Sequence, residues 1–257
     1  MSAKPPRRRP AHHQAHTVLH ADPVMRALIS AAGPYTLRNE PADSPFRALI
    51  RSIAHQQLHA TAATRILERF VALYAPDAFP TPSAVLATPE AALRAVGFSF
   101  AKIRALRDLA EKTLSGIVPP SADLHELPDE AVIERLTQVR GIGPWTVHMM
   151  LMFQLGRPDV LPIDDFGIRN GFRLAYGLKG MPRPRALAEY AERWRPYRTM
   201  ASWYLWRAVE LHHSERLPVA SQPPRVAVQK PPRKRIAKRK ASPKPKNPSA
   251  PRPRAHK

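Results

Sequence analysis

The chain has 257 residues, 44% of them apolar, which is enough to bury a sizeable core in one or two domains. Its formal net charge of +21 points first to a polyanionic partner. It contains no cysteine, which excludes a disulfide framework, a thiolate zinc site and a thiolate-held iron–sulfur cluster.

Residues 1–21 carry four Lys/Arg and no acid, and they read as a disordered basic tail. His12, His13, His16 and His20 have no second cluster at zinc-ligand spacing. No apolar run approaches the ~20 residues needed to span a bilayer. No apolar stretch follows the basic start, so the expected location is cytoplasmic, or nuclear in a eukaryotic cell, with no membrane partner.

From residue 22 to 215 the pattern is helical. Cap-then-proline starts recur at Ser44-Pro45, Thr81-Pro82, Thr88-Pro89 and Gly143-Pro144, where the missing proline N–H would have been an orphan anyway. Stops recur at Gly97, Gly116, Gly156 and Gly177. Apolar residues fall at helical spacing in Phe46, Leu49, Ile50, Ile53 and in Val132, Ile133, Leu136, Val139. No run reads as a strand. The expectation is an all-α domain of about ten helices.

Residues 216–257 hold fourteen Lys/Arg, ten prolines and no acid, and read as a second disordered tail. The two tails hold 18 of the 41 positive charges, leaving 23 against 20 acids between them. The basic signal therefore belongs mostly to the ends.

The stretch Leu136-Thr-Gln-Val-Arg-Gly-Ile-Gly-Pro-Trp-Thr-Val147 carries the chemistry. A helix ends near Val139, Gly141 and Gly143 turn the chain without a Cβ in the way, and a new helix starts at Pro144. Its unpaired N–H groups and dipole suit a phosphate. A bare G-x-G is also an ordinary turn, but the order helix, G-I-G, proline, helix favours the phosphate reading. Downstream, Asp164 and Asp165 stand at a helix start, where one can cap the helix.

These residues resemble the helix-hairpin-helix motif and aspartate-ended Gly/Pro loop of the HhH-GPD DNA glycosylase superfamily. Ile53-Ala-His-Gln-Gln-Leu58, Gly97–Ile103, Arg193-Trp-Arg-Pro-Tyr-Arg198 and Trp203-Tyr-Leu-Trp206 fall in family order. They are similar to the compact form of the 3-methyladenine DNA glycosylase II branch. The resemblance covers about residues 22–212 and implies a two-lobed helical fold. It also implies a base-excision enzyme that flips an alkylated base out of double-stranded DNA, acting as a monomer.

On that resemblance Asp165 is the catalytic carboxylate, and Asp164 faces elsewhere, capping the helix. Trp145, Met149, Phe166 and Trp206 line the base pocket. Gly141, Gly143 and Thr146 meet the DNA backbone, and Gln56 and Gln57 form the wedge. A monovalent cation is expected on the carbonyls of Thr137, Val139 and Ile142, with no other cofactor. Bifunctional relatives resemble G-[IV]-G-x-K at the hairpin, whereas Trp145 occupies the lysine position here. An indole has no nucleophilic amine, so water must attack and the product is an intact abasic site. Two other readings stay open: a same-fold glycosylase for uracil, mismatches or oxidised purines, and a non-catalytic DNA-binding protein.

Overall fold

The computed structural model describes residues 10–38 and 44–229. Among these residues the chain is all-α, with thirteen α-helices, one 3-10 turn and an isolated bridge between Pro182 and Val228. None of the described helices is long and apolar enough to cross a membrane.

The helices form two lobes, each around its own core. The first lobe contains α3 (Pro45–His55), α4 (Ala60–Ala72), α5 (Pro82–Ala87), α6 (Glu90–Ala95), α7 (Phe100–Leu114), α8 (Ser121–Glu126), α9 (Asp129–Leu136) and α10 (Pro144–Phe153). Ile50, Ile53, Phe70, Leu106, Val147 and Leu151 lie in its core. The second lobe joins the two chain ends: α1 (Pro10–His20) and α2 (Pro23–Ala32) with α11 (Phe166–Ala175), α12 (Pro184–Ala191), the 3-10 turn Glu192–Trp194 and α13 (Arg198–His213). The chain passes from one core to the other between Val160 and Leu161. Trp206 packs against both cores.

The expected starts hold at Ser44, Thr81 and Gly143. Ser44 Oγ accepts from Arg47 N and Thr81 Oγ1 from Ala84 N. Thr88 does not cap. Its hydroxyl donates to Ala84 O and also pairs with Tyr74 OH, each at 2.8 Å, and α6 begins after Pro89. Thirteen helices exceed the expected ten in part because α8 has only six residues, too short to show a period.

Both tail boundaries move. The expected disordered stretch 1–21 contains α1, whose Ala15 and Leu19 are buried in the second lobe, while residues 1–9 lie outside the described residues. An i, i+4 apolar pair among histidines is a narrow stripe, but it suffices to seat one helix. At the other end, residues 216–229 pack onto the second lobe through Leu217, Val226 and Val228. Backbone bonds from Ala220 N to Ala175 O (2.9 Å), Arg183 N to Ala227 O (2.9 Å) and Gln229 N to Met181 O (2.8 Å) fasten this strap. The rest of that expected tail, 230–257, lies outside the described residues.

Asp22 organises the second lobe. Its carboxylate is only 5% exposed. It caps α2 by accepting from Val24 N (3.0 Å) and Met25 N (3.3 Å). It also accepts from Tyr176 OH (2.7 Å), Tyr190 OH (3.2 Å) and Trp194 Nε1 (3.2 Å). Burial and the Asp22 charge push the Tyr190 hydroxyl up to about 12 and hold that of Tyr176 well above its ordinary value, so both remain donors. Replacing Asp22 by alanine strands three side-chain donors, two of them on fully buried rings. We expect urea unfolding of Asp22→Ala to show a loss of about 3 kcal/mol, against about 1 kcal/mol for the exposed cap change Ser44→Ala.

Candidate active site

The hairpin forms where expected. α9 ends at Leu136, Gly141 takes the left-handed φ of 79° that a Cβ would oppose, and α10 begins at Pro144. No side chain caps α10, so its first-turn N–H groups, which have no intrahelical acceptor, receive none from a capping side chain either. Thr146, expected to meet the DNA backbone, is 7% exposed and lines the cleft beside Trp145.

Two long-range bonds hold this turn. Gln56 Nε2 donates to Gly141 O at 2.8 Å, and Arg140 N donates to Asp108 Oδ2 at 2.6 Å. Lys112 Nζ in turn pairs with both Asp108 oxygens at 2.6 and 2.7 Å. Burial opposes ionisation of Asp108, but the Arg140 N–H and the Lys112 ammonium outweigh it and hold its carboxyl below the usual range. Asp108 lies 32 residues from Arg140, and only the fold reveals its role.

The bend after α3 faces the hairpin. Lys102 Nζ donates to Ala54 O at 2.7 Å, at the C-terminal end of α3. Of the two expected wedge residues, Gln56 is half-buried and tied to the hairpin, whereas Gln57 is exposed at φ 57°. Next to it Leu58 is 42% exposed, an apolar tip the sequence reading missed although it is part of the Gln-Gln-Leu run.

Between the bend and α10 lies a cleft of 610 Å³, lined in part by Arg51, His55, Gln56, Gln57, Trp145 and Met149. His55 Nδ1 meets Arg51 O at 2.9 Å, and a carbonyl can only accept, so that nitrogen carries the hydrogen. Phe166, expected in the pocket, is 72% exposed and does not line this cleft. It is the first residue of α11, directly after the cap.

Asp165 stands at the Trp145 side of the cleft. It is the N-cap of α11, and Oδ1 accepts from Ile168 N at 2.7 Å. Asp164, expected to cap, is instead exposed. Its charge acts on His148, whose imidazole is pushed down by burial and partly pulled back by Asp164 and Asp129. Both expected tryptophans reach Asp165. Trp206 Nε1 donates to Oδ1 at 2.9 Å and Trp145 Nε1 to Oδ2 at 2.8 Å. The other face of the arrangement is Phe153, stacked on Trp206 at 6.0 Å and 20°.

Gly167 makes room for this: a Cβ there would stand 2.8 Å from Trp206 Cδ1 and 3.1 Å from Asp165 Oδ1. Gly171 lets α11 meet α13, since its Cβ would come 1.9 Å from Leu205 O. Neither glycine stands out in the sequence.

Among the described residues no group of three His, Cys, Asp or Glu side chains is placed to hold a metal ion. The carbonyls of Thr137, Val139 and Ile142 follow the negative end of α9 and are hard oxygen donors. Val139 O already accepts from Ile142 N at 3.0 Å and keeps a second lone pair.

Residues 50–196 match the HhH-GPD superfamily of base excision DNA repair proteins. The chain belongs to this superfamily. It is 41% identical over 191 residues to DNA-3-methyladenine glycosylase 1 of Schizosaccharomyces pombe, covering 74% of this chain and 84% of the relative. The solved structure of the Schizosaccharomyces pombe 3-methyladenine DNA glycosylase in complex with abasic DNA superimposes with a TM-score of 0.69 at 40% identity, covering 77% of this chain and 97% of that one. A DNA-3-methyladenine glycosidase from Bacillus halodurans gives a TM-score of 0.71 at 34% identity, covering 80% of this chain and 93% of that one.

Asp108 offers a test of how this superfamily's hairpin is held here. A carboxyl held low in the folded chain adds stability only while it is ionised. The stability difference between wild type and Asp108→Asn should therefore be constant near neutral pH and shrink as the pH falls below about 4. Denaturant unfolding across that range measures it, and a difference that persists unchanged to about pH 3 would remove the charge from the account.

Proposed function

We propose that this chain is a monofunctional DNA glycosylase that releases alkylated purines from double-stranded DNA, acting as a monomer. The observation that carries this reading is the Asp165 carboxylate beside the Trp145 wall of the cleft, in a chain so similar to 3-methyladenine glycosylases.

Breaking an N-glycosidic bond leaves positive charge on C1′ and the ring oxygen of the sugar. A carboxylate aimed at that carbon stabilises this state, and more strongly where the protein excludes water. The same group orients or deprotonates the attacking water. Asp165 has that role in this reading. Alkylation at N3 or N7 makes the purine a cation and already a good leaving group. Arg51 adds no attraction for such a base, so the aromatic face of Trp145, with Met149, holds it by stacking and cation–π attraction, while Trp206, which does not line the cleft, meets the site through Asp165. Phe166, exposed in the free protein, would join the pocket only from its rim.

Flipping the base costs a few kcal/mol of stacking and pairing. Gln57 and Leu58 fill the gap, because Gln56 is engaged with Gly141. Gly141, Gly143 and the N–H groups of α10 hold a backbone phosphate. The Thr137, Val139 and Ile142 carbonyls would hold a monovalent cation, which supplies positive charge near that phosphate. Lys112, the nearest lysine to the hairpin in sequence, is paired with Asp108. Water is therefore the nucleophile.

The test is base release from DNA carrying 3-methyladenine, 7-methylguanine, hypoxanthine, uracil or 8-oxoguanine. We expect release of the alkylated purines, an intact abasic site, and no borohydride-trapped protein–DNA adduct. Asp165→Asn should bind DNA as before while release falls by orders of magnitude. Release of uracil or 8-oxoguanine alone, or of nothing, overturns the reading.

Residues 230–257 carry twelve Lys/Arg and no acid. Their removal should weaken binding to damaged and undamaged DNA alike. The slope of log K against log salt should flatten by about 0.9 for each phosphate the shortened chain no longer neutralises. Single-turnover release at saturating enzyme should hardly change, and an unaltered salt slope would show that this segment holds no phosphate.

A further inference from the structure

Three hydrogen bonds converge on Asp165, and they are not equivalent. Oδ1 takes two donors, Ile168 N at 2.7 Å and Trp206 Nε1 at 2.9 Å. Oδ2 takes one, Trp145 Nε1 at 2.8 Å. A carboxylate offers about four acceptor positions, so the spare one lies on Oδ2. The torsion about Cβ–Cγ is soft, because terminal sp³–sp² torsions are broad, and each donor that pins an oxygen lying off that axis limits the rotation. Indole donors on both oxygens together fix the plane.

The two indoles arrive from different lobes, Trp145 on α10 and Trp206 on α13. Trp206 is itself clamped by Phe153, stacked at 6.0 Å, so one of its faces is already occupied. Gly167 completes the arrangement. A Cβ there would fall 2.8 Å from Cδ1 and 3.1 Å from Nε1 of Trp206, against a packed ring and not a flexible tip.

We infer that Trp145 and Trp206 are positioning residues whose indole N–H groups fix the plane of the Asp165 carboxylate, with Gly167 leaving the space that the Trp206 edge needs. This rests on the reading of Asp165 as the reacting carboxylate. It gives the tryptophans a task at their edges that is separate from any stacking at their faces. The plane so fixed directs the open position of Oδ2 toward the sugar or its water.

Phenylalanine keeps an aromatic face and removes the N–H, leucine removes both, and Gly167→Ala keeps the indole but displaces its edge. Single-turnover release of 7-methylguanine at saturating enzyme should fall roughly 10- to 100-fold in Trp206→Phe, the worth of a hydrogen bond to a charged group. Gly167→Ala should fall comparably, although Gly→Ala inside a helix is otherwise favourable. Trp206→Leu should lie within a few-fold of Trp206→Phe, and DNA affinity of Trp206→Phe within about twofold of wild type. Wild-type rates in Trp206→Phe with a loss only in Trp206→Leu would assign the work to the ring face and overturn the inference, as would a loss confined to affinity.

A second measurement needs no catalysis. The chain has four tryptophans, so ¹⁵N-indole labelling gives four N–H resonances. Asp165→Ala should shift those of Trp145 and Trp206 and leave Trp203 and the Asp22-bonded Trp194 in place. If neither moves, the two N–H groups do not meet Asp165 and the inference fails. Absence of release by the wild-type protein would instead refute the proposed activity, while the resonances still decide the positioning.

Discussion

The Asp165 carboxylate constrains more of this structure than any other single group. It caps its own helix and takes a donor from each of two others. Each of those bonds sets a requirement elsewhere. Trp206 can reach Oδ1 only if residue 167 has no Cβ. α13, which carries Trp206, can lie that close to α11 only if residue 171 has none. Trp145 reaches Oδ2 from the other lobe, two residues after the hairpin glycine. Lobe packing, helix capping and carboxylate orientation are thus one geometric problem with one solution.

The hairpin shows the same economy. Its glycines permit the turn but do not place it. Placement comes from Gln56, at the bend after α3, and from Asp108 on α7. The bend that carries Gln57 and Leu58 and the turn that precedes α10 therefore share a hydrogen bond across 85 residues of chain. Displacing one strains the other, so the segment suited to enter a base stack and the segment suited to grip a phosphate keep a fixed separation. Gln56 serves that separation.

What the sequence made legible was local. Caps at Ser44 and Thr81, stops at glycine, the Gly141–Gly143 turn and the candidacy of Asp165 depend on residues within a few positions of one another. Capping and turn chemistry are short-range. The misses share a different cause. Gln56 to Gly141 and Asp108 to Arg140 are bonds from polar side chains to distant backbone, and these have no period to read. α1 was hidden because two apolar residues among histidines make a faint stripe, and the 216–229 strap because its three apolar contacts are scattered and its hydrogen bonds run between backbone groups. The tryptophans were found through the family resemblance, but for their faces. That their edges meet Asp165 depends on lobe packing, which no local pattern encodes.

A comparison within the molecule separates Asp165, the proposed reacting carboxylate, from Asp22, which is a strut. Both are aspartates capping a helix, and both accept an indole N–H. Asp22 receives five donors at 5% exposure, and its indole partner Trp194 is fully buried. Its acceptor capacity is exhausted, and the tyrosines around it are held as donors far above physiological pH. Nothing further can bind it without displacing a bond that stabilises the lobe. Asp165 receives three donors, and the partner of its second oxygen, Trp145, is 49% exposed on a cleft. The same local arrangement is therefore closed in one place and left one acceptor short in the other. That unspent lone pair, held in a fixed plane beside an open cleft, is the physical difference between a carboxylate that holds a fold together and one that can meet a developing positive charge.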